Sequence, residues 1–320
     1  MTEQLRLDPA VEAPAADAPA MPLGPSAGLD RYVLLDLQRK EREIAKKYYV
    51  IGQTIRWKYV VATLVGFSVW VSLFPLTMMG LVPLWAAFIV SYLIATAGYV
   101  TAHEAMHSTI GRKGTKGWFW NELTGQLSMI PLMFPFSIAR ATHLQHHRFP
   151  NDPVKDPDYP DGAPNLRAAL WKAWLNRQPG PTAQVHHIKR VMLEEVGTPE
   201  AKRALKETLL SQLAGTLFFI GMALSGYAME IAMVWWLPRW LALIHTHVFF
   251  SWETHHPQTG RGRYDNTRIF RSSVGSFLSM WIEFHLVHHL YPNIPMHLTK
   301  KAYFEMKPVL QARGVDCSAH

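Results

Sequence analysis

The chain contains a single cysteine, Cys317, among its 320 residues. One cysteine excludes an intrachain disulfide, a zinc site built on cysteines and an iron–sulfur cluster held by this chain alone. The sequence also lacks a G-x-G-x-x-G nucleotide fingerprint and a visible haem-domain signature. Any redox chemistry must therefore use other metal ligands and take its electrons from an external donor.

Charged residues are few, at 18% of the chain, whereas hydrophobic residues make up 49%. The 32 Lys and Arg residues exceed the 24 Asp and Glu residues, which gives a formal net charge of +8. A basic surplus can serve nucleic acid binding, but basic residues that flank apolar segments more often mark the cytoplasmic side of a membrane protein. We therefore expect membrane lipids, and no nucleic acid, as partners.

Four long apolar stretches occur in two pairs, at residues 59–78 and 81–102 and at residues 209–229 and 231–250. Each has the ~20 residues needed to cross a hydrocarbon core. Only a short connection joins the two members of each pair. The pattern predicts an all-α integral membrane protein with two transmembrane hairpins, which makes four spans.

The segments outside the spans complete the expected organisation. Residues 1–30 are rich in proline and alanine and predict a disordered tail. Residues 31–58 predict a charged cytoplasmic or interfacial helix, residues 59–308 the membrane domain, and residues 309–320 a C-terminal tail. The turns near Gly80 and Glu230 lack Lys and Arg, whereas the loop between the hairpins is basic. We therefore expect both termini and this loop on the cytoplasmic side of a bacterial inner membrane.

Two features fit this pattern less well. Residues 118–139 are apolar but contain Asn121, Glu122 and two prolines, which favours a re-entrant or interfacial helix over a fifth span. Arg239 lies in the middle of the fourth span, where a charge costs at least ~2.5 kcal/mol on insertion scales. We expect its side chain to face other helices.

Histidines form three boxes with helical spacing: H-E-A-M-H at residues 103–107, H-L-Q-H-H at 143–147 and H-L-V-H-H at 285–289. Residues at i, i+3 and i+4 share a helix face, so each box directs two or three imidazoles toward one point. Eight imidazoles exceed the needs of one tetrahedral zinc and fit two transition-metal ions, which favours a di-iron centre in a cytoplasmic helical cap. The candidate ligands are His103, His107, His143, His146, His147, His285, His288 and His289.

The other histidines are interpreted more conservatively. A lone buried histidine is more often a hydrogen-bonded core residue than a ligand. We expect no metal role for His186, His187, His245, His247 and His320. His297 follows Pro295 and is expected to be structural. His255 and His256 remain as candidates for one additional ligand.

The first box also satisfies H-E-x-x-H, the zinc-protease signature in which Glu104 would be the general base. Such a protease needs one more protein ligand and a position for water. It would leave the two H-x-x-H-H boxes without a purpose, so it is a distant alternative. A metal-binding or transport protein without catalysis is a third hypothesis.

With H-x-x-x-H, H-x-x-H-H and H-x-x-H-H in this order around two predicted hairpins, the chain resembles the membrane fatty acid desaturase and hydroxylase superfamily. The resemblance covers residues 59–308. The runs H-L-Q-H-H-R-F-P-N-D-P-V-K-D-P-D at 143–158 and H-L-V-H-H-L-Y-P-N-I-P at 285–295 are similar to bacterial acyl desaturases and cyanobacterial-type β-carotene hydroxylases. These motifs are specific to the superfamily but do not select one reaction.

The resemblance implies a non-haem di-iron centre that uses O2 to remove hydrogen from an unactivated C–H bond of a lipid. It assigns metal-ligand roles to the eight histidines of the boxes. In the carotenoid hydroxylases a further histidine precedes the third box by the interval that separates His255 from His285, so His255 is the expected ninth ligand, ahead of His256. Fatty acyl desaturation is favoured; hydroxylation, oxidative decarboxylation of a fatty acid to a terminal alkene, and carotenoid hydroxylation stay open.

Five polar residues near the boxes are candidates for hydrogen bonds that orient the ligating imidazoles. They are Glu104, Asn151, Asp152, Asp156 and Asp158. The last four belong to a run of Asp-Pro steps, which could equally form turns and cap a helix. Both interpretations of this run remain open from the sequence.

The expected partners follow from the charge and from the absence of built-in redox groups. A lipid substrate would enter from the bilayer through a tunnel lined by apolar residues. The basic cytoplasmic face would attract an acidic electron donor, such as ferredoxin with its reductase.

Overall fold

The structure is a computed structural model, and it describes residues 26, 28–49, 55–178, 180, 183–271, 273–280 and 282–319. The described residues are mostly helical and include no β-strand. The predicted disordered tail, residues 1–30, lies largely outside the described residues, as do residues 50–54 of the predicted interfacial helix.

Three helices of the described chain are long and apolar enough to cross a membrane: α2 (Trp57–Met78), α3 (Leu84–Met106) and α8 (Pro199–Leu224). Their outer surfaces are apolar, with Val65, Leu93 and Leu217 exposed by 57%, 54% and 59%. Such an exposed apolar surface suits lipid contact. Helix α3 continues four residues beyond the predicted span and carries His103 within its last turn.

Glycines in the left-handed region follow α2 and α8. Gly80 has a φ of 70° and Gly226 a φ of 90°, which cost glycine little because it has no Cβ. Helix α8 ends at Leu224 and begins at Pro199 after the N-cap Thr198. The predicted third span, residues 209–229, was therefore placed too late, because its last residues form the turn and start the next helix.

Residues 228–255 form one uninterrupted helix, called here the 228–255 helix. It comprises α9 (Ala228–Ile231), α10 (Leu237–Thr246) and α11 (Glu253–His255), joined by π-helical segments at Ala232–Trp236 and His247–Trp252. π-Helical turns are uncommon and often lie at functional sites. The helix includes the stretch predicted as the fourth span, 231–250, and brings His255 to its end.

Arg239 faces the bend between α4 (Gly117–Met129) and α5 (Phe136–Arg148). Its Nε atom donates a hydrogen bond of 2.9 Å to the carbonyl oxygen of Leu132. The indole of Trp235 donates one of 2.9 Å to the carbonyl of Pro131. The bend divides residues 118–139 between two short helices, and the 228–255 helix satisfies two of its carbonyls, as irregular backbone at membrane depth requires.

The remaining α-helices pack around one end of this bundle and are called the cap. They are α1 (Arg31–Tyr48), α6 (Leu166–Leu175), α7 (Gln184–Arg190), α12 (Ser273–Leu278), α13 (His285–Leu290) and α14 (Met296–Ala312). Helix α1 packs along α14, with an ion pair between Lys47 and Glu305. Together they enclose α13 through a core that includes Ala45, Leu290 and Met306.

The C-terminal segment is more ordered by packing than its predicted role as a tail, residues 309–320, suggests. Helix α14 continues to Ala312, because Ala302, Met306 and Leu310 repeat at helical spacing on its buried side. Beyond the helix, Val315 and Cys317 are also buried. The described residues up to 319 therefore belong to the cap.

Candidate metal centre

The first box lies at the end of α3, where the spanning helix meets the cap. His103 occupies the last turn and His107 is the residue that ends the helix. Their ring centroids lie 5.1 Å apart, as expected for residues at i and i+4. The end of a membrane-spanning helix thus supplies two imidazoles to one point.

The peptide carbonyl of Ala105, between these two histidines, is held by polar residues of α4 and α5. Asn121, fully buried, donates from Nδ2 at 3.0 Å. Arg140 donates to the same oxygen at 3.3 Å and also pairs with Glu122. Because Arg140 lies three residues before His143 on α5, these contacts fix the first box relative to the second.

Five histidines from all three boxes converge. Their ligand atoms lie within 4.8 Å of one another, and the members are His103, His107, His143, His147 and His288, called here the five-histidine group. The Nε2 atom of His143 lies 2.8 Å from that of His107 and 3.1 Å from that of His147. The Nε2 of His147 in turn lies 3.0 Å from that of His288.

These contacts between Nε2 atoms fit a bound cation better than hydrogen bonds. A neutral imidazole nitrogen either donates or accepts, so three crowded nitrogens cannot all be satisfied by one another. The Nε2 of His103 is buried and has no hydrogen-bond partner within the described residues. A transition-metal ion accepts several such lone pairs at once.

A second group of histidines lies beside the first. It comprises His146, His255 and His289, whose ligand atoms also lie within 4.8 Å of one another, and it is called here the three-histidine group. The Nε2 atoms of His146 and His255 are 3.1 Å apart. His285 adjoins this group, because its Nε2 lies 3.1 Å from that of His289.

The two H-x-x-H-H boxes divide between the groups in opposite ways. In the second box, His143 and His147 at i and i+4 join the five-histidine group, and His146 at i+3 joins the other. In the third box, His288 at i+3 joins the five-histidine group, while His289 lies in the other. Each box therefore contributes to both groups, which makes two neighbouring metal sites with shared supports.

Burial keeps most of these imidazoles neutral, which is the form that binds metals. Desolvation lowers the pKa of His107, His143, His147, His285, His288 and His289 well below the ordinary value. It lowers the pKa of His255 to about 3. His146 differs: burial lowers its pKa, but the adjacent Asp156 carboxylate outweighs this effect and raises it to about 9.

Asp156 orients His146. Its Oδ1 lies 2.9 Å from the Nδ1 of His146, and its Oδ2 accepts a hydrogen bond of 2.8 Å from the backbone N–H of Asn151. The side chain of Asn151 donates to the carbonyl of Asn266 at 2.9 Å, and the same carbonyl lies 2.9 Å from the Nδ1 of His255. One hydrogen-bonded network thus reaches two rings of the three-histidine group.

The other acidic residues of this run have different contacts. The Oδ1 of Asp152 accepts hydrogen bonds from the backbone N–H groups of Val154 and Lys155, so this residue forms a turn. Asp158 lies 3.9 Å from the Nδ1 of His146, at the edge of ion-pair distance. Both sequence interpretations of the run therefore apply, each to different residues.

Glu104 contacts neighbouring backbone and hydroxyl groups. Its carboxylate accepts hydrogen bonds of 2.6 Å from the Thr109 hydroxyl and 2.7 Å from the N–H of Met296. These contacts tie α3 to the start of α14. In the described chain Glu104 thus supports the helix ends instead of orienting an imidazole, and five converging histidines exceed the three protein ligands of a protease zinc.

Among the remaining histidines, three contact polar groups that the sequence pattern does not indicate. The Nδ1 of His247 lies 3.0 Å from Asp161. The Nε2 of His187 lies 2.7 Å from the carbonyl of Asp156, and the Nδ1 of His245 lies 2.6 Å from the Tyr92 hydroxyl. No local motif links these partners, which are far apart along the chain.

His256 and His297 also lie apart from the two groups. The ring of His256 stacks on Trp252 with centroids 4.7 Å apart, whereas His255 points into the three-histidine group. The Nδ1 of His297 lies 3.3 Å from the hydroxyl of Tyr59. The described structure thus brings together all nine histidines that the sequence singles out as candidate ligands.

Comparisons with known proteins agree with this arrangement. The family model for fatty acid desaturases matches residues 79–319. The dihydrorhizobitoxine desaturase of Bradyrhizobium elkanii is 28% identical over 221 residues, which cover 63% of this chain and 61% of that protein. The sn-1 oleoyl-lipid 12-desaturase of Picosynechococcus sp. is 25% identical over 305 residues, or 87% of this chain and 84% of that protein.

A carotenoid-modifying protein is also similar. The zeaxanthin 4-ketolase of Chlamydomonas reinhardtii is 25% identical over 219 residues, which cover 66% of this chain and 42% of the ketolase. The chain therefore spans less than two thirds of the length of the ketolase and of the Bradyrhizobium desaturase.

Proposed function

The chain belongs to the fatty acid desaturase family, and from this membership we propose that it is a membrane-bound, O2-dependent di-iron oxidase that desaturates a fatty acyl chain. Family membership makes it an oxidoreductase of the membrane desaturase and hydroxylase superfamily that modifies lipids. The observation that carries the finer proposal is the convergence of nine buried imidazoles in two adjacent groups.

The histidines fit two iron ions in number, donor type and charge. The five-histidine group would hold one ion, and the three-histidine group with His285 would hold the other. Neutral imidazoles suit iron and leave positions for O2. When bound, such a centre would supply O2 activation and the abstraction of hydrogen from an unactivated C–H bond.

The residues of the chain would prepare the site for this chemistry. Asp156 holds the Nδ1 side of His146 and leaves Nε2 free for a metal, as carboxylates commonly do for ligating histidines. The buried surroundings of the groups exclude bulk water, which would otherwise compete with the substrate. The apolar spans provide a route by which an acyl chain reaches the groups from the bilayer.

Desaturation requires an external source of electrons. Loss of two hydrogens from the acyl chain and reduction of O2 to two waters consume two electrons and two protons beyond those of the substrate. An acidic donor such as ferredoxin with its reductase would supply them, attracted by the net charge of +8. Turnover with such a donor should fall as ionic strength rises, and turnover indifferent to salt would refute an electrostatic encounter.

A carotenoid substrate is the second candidate, because a similar protein is named a zeaxanthin 4-ketolase. Hydroxylation and oxidative decarboxylation of a fatty acid would begin with the same hydrogen abstraction. The acyl chain is favoured because two of the similar proteins carry the name desaturase, one of them acting on an oleoyl lipid. The proposed outcome therefore differs between substrates only after the first step.

The proposed arrangement in the membrane has four spans, with the 228–255 helix as the fourth. The histidine groups, the cap and both termini would lie on the cytoplasmic side of a bacterial inner membrane. The positive-inside pattern of the sequence supports this orientation. The contacts of Arg239 with the α4–α5 bend remove the main objection to the fourth span, which is an unpaired charge in lipid.

The test is a profile of lipids, hydrocarbons and carotenoids in a host membrane that expresses the chain with carotenoid precursors supplied. His146→Ala should abolish the new product and lower bound iron, while membrane insertion is unchanged. His186→Ala is the matched control, because His186 is exposed on α7. Full turnover by His146→Ala, or zinc in place of iron in the purified protein, would refute the proposal.

A further inference from the structure

Helix α6 has a buried face made of small residues. Ala169 and Ala173 are fully buried against Val248 and Trp252 of the 228–255 helix. Small side chains allow two helices to approach closely. This face therefore fastens α6 to the π-helical segment that leads to His255.

The opposite face of α6 is apolar and exposed. Leu166, Leu170, Trp171 and Trp174 are exposed by 45%, 44%, 60% and 41%, and the two indole rings stack with centroids 5.1 Å apart. At 3.6 residues per turn these positions form one continuous stripe. Arg167 falls within the same stripe and is exposed. We call these five residues the outward face.

The outward face continues the apolar surface of the 228–255 helix. Two hydrogen bonds fix α6 along this helix: the Trp252 indole donates to the carbonyl of Ala163, before α6 begins, at 2.7 Å. Arg177, beyond its end, donates to the carbonyl of Leu243 at 2.6 Å. Helix α6 thus runs antiparallel to the segment 243–252. Leu241, the next exposed apolar residue along that helix, is exposed by 41%.

The composition of the outward face matches a lipid headgroup region. Tryptophan is enriched where membrane and water meet, because its ring is apolar and its N–H is polar. A long basic side chain can keep its stem in the apolar layer while its charge reaches a phosphate. A stable protein partner would need about 800 Å² on each side, more than one face of this ten-residue helix provides.

We propose that α6 is an interfacial helix whose outward face inserts into the headgroup region of the bilayer, with Arg167 directed to lipid phosphates. This inference rests on the proposed fourth span, against which α6 packs. Because its buried face holds the segment that ends in His255, the lipid surface would lie directly beside the three-histidine group.

The test uses single cysteines in the full chain, with the native Cys317 replaced by alanine. Trp171→Cys, and separately Trp174→Cys, would carry an environment-sensitive fluorophore in proteoliposomes of phosphatidylcholine and phosphatidylglycerol. Aqueous iodide and a lipid with a spin label near its headgroup serve as quenchers. Val154→Cys, exposed by 47% in the cap, is the water control, and Leu241→Cys reports on the proposed span.

We expect iodide to quench the label at residue 171 at least about fivefold less than at residue 154, and the spin-labelled lipid to quench it strongly. Iodide quenching at 171 and 174 equal to that at 154, with lipid quenching retained at 241, would overturn the inference and leave the span intact. Loss of lipid quenching at 241 would refute the span as well. Protection at 171 from both quenchers would indicate a protein contact and would also overturn it.

Discussion

The Nδ1 atom of His146 lies 2.9 Å from the Oδ1 atom of Asp156, and both residues are buried. Within the described chain, this is the histidine of the three boxes that pairs with a carboxylate. The pairing determines which ring nitrogen carries the proton, so the other nitrogen is available to the three-histidine group. Because Asp156 also binds the backbone of Asn151 and Asp158, its position is well determined.

Asp156→Asn should therefore weaken the site without removing a ligand. The amide can donate to Nδ1 as well as accept from it, so the tautomer of His146 is no longer fixed. Loss of a partner of a ligating histidine typically costs 10–100-fold in metal affinity or activity. We expect a drop of about this size in product formation, together with less bound iron measured on the purified protein.

Asp152→Asn is the control for this substitution. Asp152 lies in the same run but caps a turn and contacts Arg261 at the surface. It should keep iron content and activity within about twofold of the unmodified chain. Equal losses in the two variants would show that the run matters for folding only and that Asp156 has no particular relation to the metal site.

The role of His255 can be separated from that of its neighbour. His255→Ala should lower the iron content from about two ions per chain toward one, since its Nε2 lies in the three-histidine group. His256→Ala should leave the iron content unchanged, because its ring stacks on Trp252. Iron analysis of the two purified variants decides the matter, and the reverse result would move the ninth ligand to His256.

The sequence predicts the convergence of the boxes but not their division into two groups. Helical spacing alone shows that i, i+3 and i+4 share a face. At about 100° per residue, however, the i+3 ring points about 60° to one side of i while i+4 points about 40° to the other. His146 and His288 are the i+3 members, and each separates from its box. The choice between groups depends on how α5 and α13 approach one another, which is a tertiary property.

Other features could not be read from the sequence, for related reasons. The partner of Glu104 is the N–H of Met296, and Asp161 pairs with His247; both contacts join distant parts of the chain. The exact start of α8 was hidden by its charged first turns, which made the apolar stretch appear to begin later. By contrast, Arg239 was expected to face other helices, and it contacts the bend between α4 and α5.

Glu41 supplies a test of the cap. This carboxylate is fully buried on α1 and accepts hydrogen bonds of 2.7 Å from Tyr291 and 3.1 Å from Tyr264. Arg263 and Arg313 lie within 3.5 Å and 3.8 Å of it. Since Tyr291 directly follows α13, Glu41 joins α1 to the helix of the third box.

Glu41→Gln should destabilise the protein at the lower end of about 3–5 kcal/mol, the range for breaking a buried ion pair. The lower end applies because Arg263 is partly exposed. Thermal unfolding in detergent should show a clear drop in Tm. Glu43→Gln, at an exposed position of the same helix, should leave Tm unchanged. A Tm for Glu41→Gln that equals the Tm of this control would exclude a stabilising role for the cluster.

Gly111 and Gly221 form a matched pair for testing the packing between the first box and α4. A Cβ at Gly111 would lie 2.0 Å from the carbonyl oxygen of Gly117, a backbone atom that cannot rotate away. A Cβ at Gly221, on α8, meets nothing within 4 Å. Gly111→Ala should therefore cost at least the about 1–3 kcal/mol of overpacking. Gly221→Ala should cause no loss, because alanine is the better helix former.

The consequence for function follows from the position of Gly111, four residues after His107. Separation of the strand of chain at Gly111 from the start of α4 would displace the end of α3, and with it the first box. Gly111→Ala should thus lower both Tm and bound iron, whereas Gly221→Ala should retain both. If Gly111→Ala keeps the Tm and the iron content of the unmodified chain, the close approach of Gly111 to Gly117 is not a feature of the folded protein.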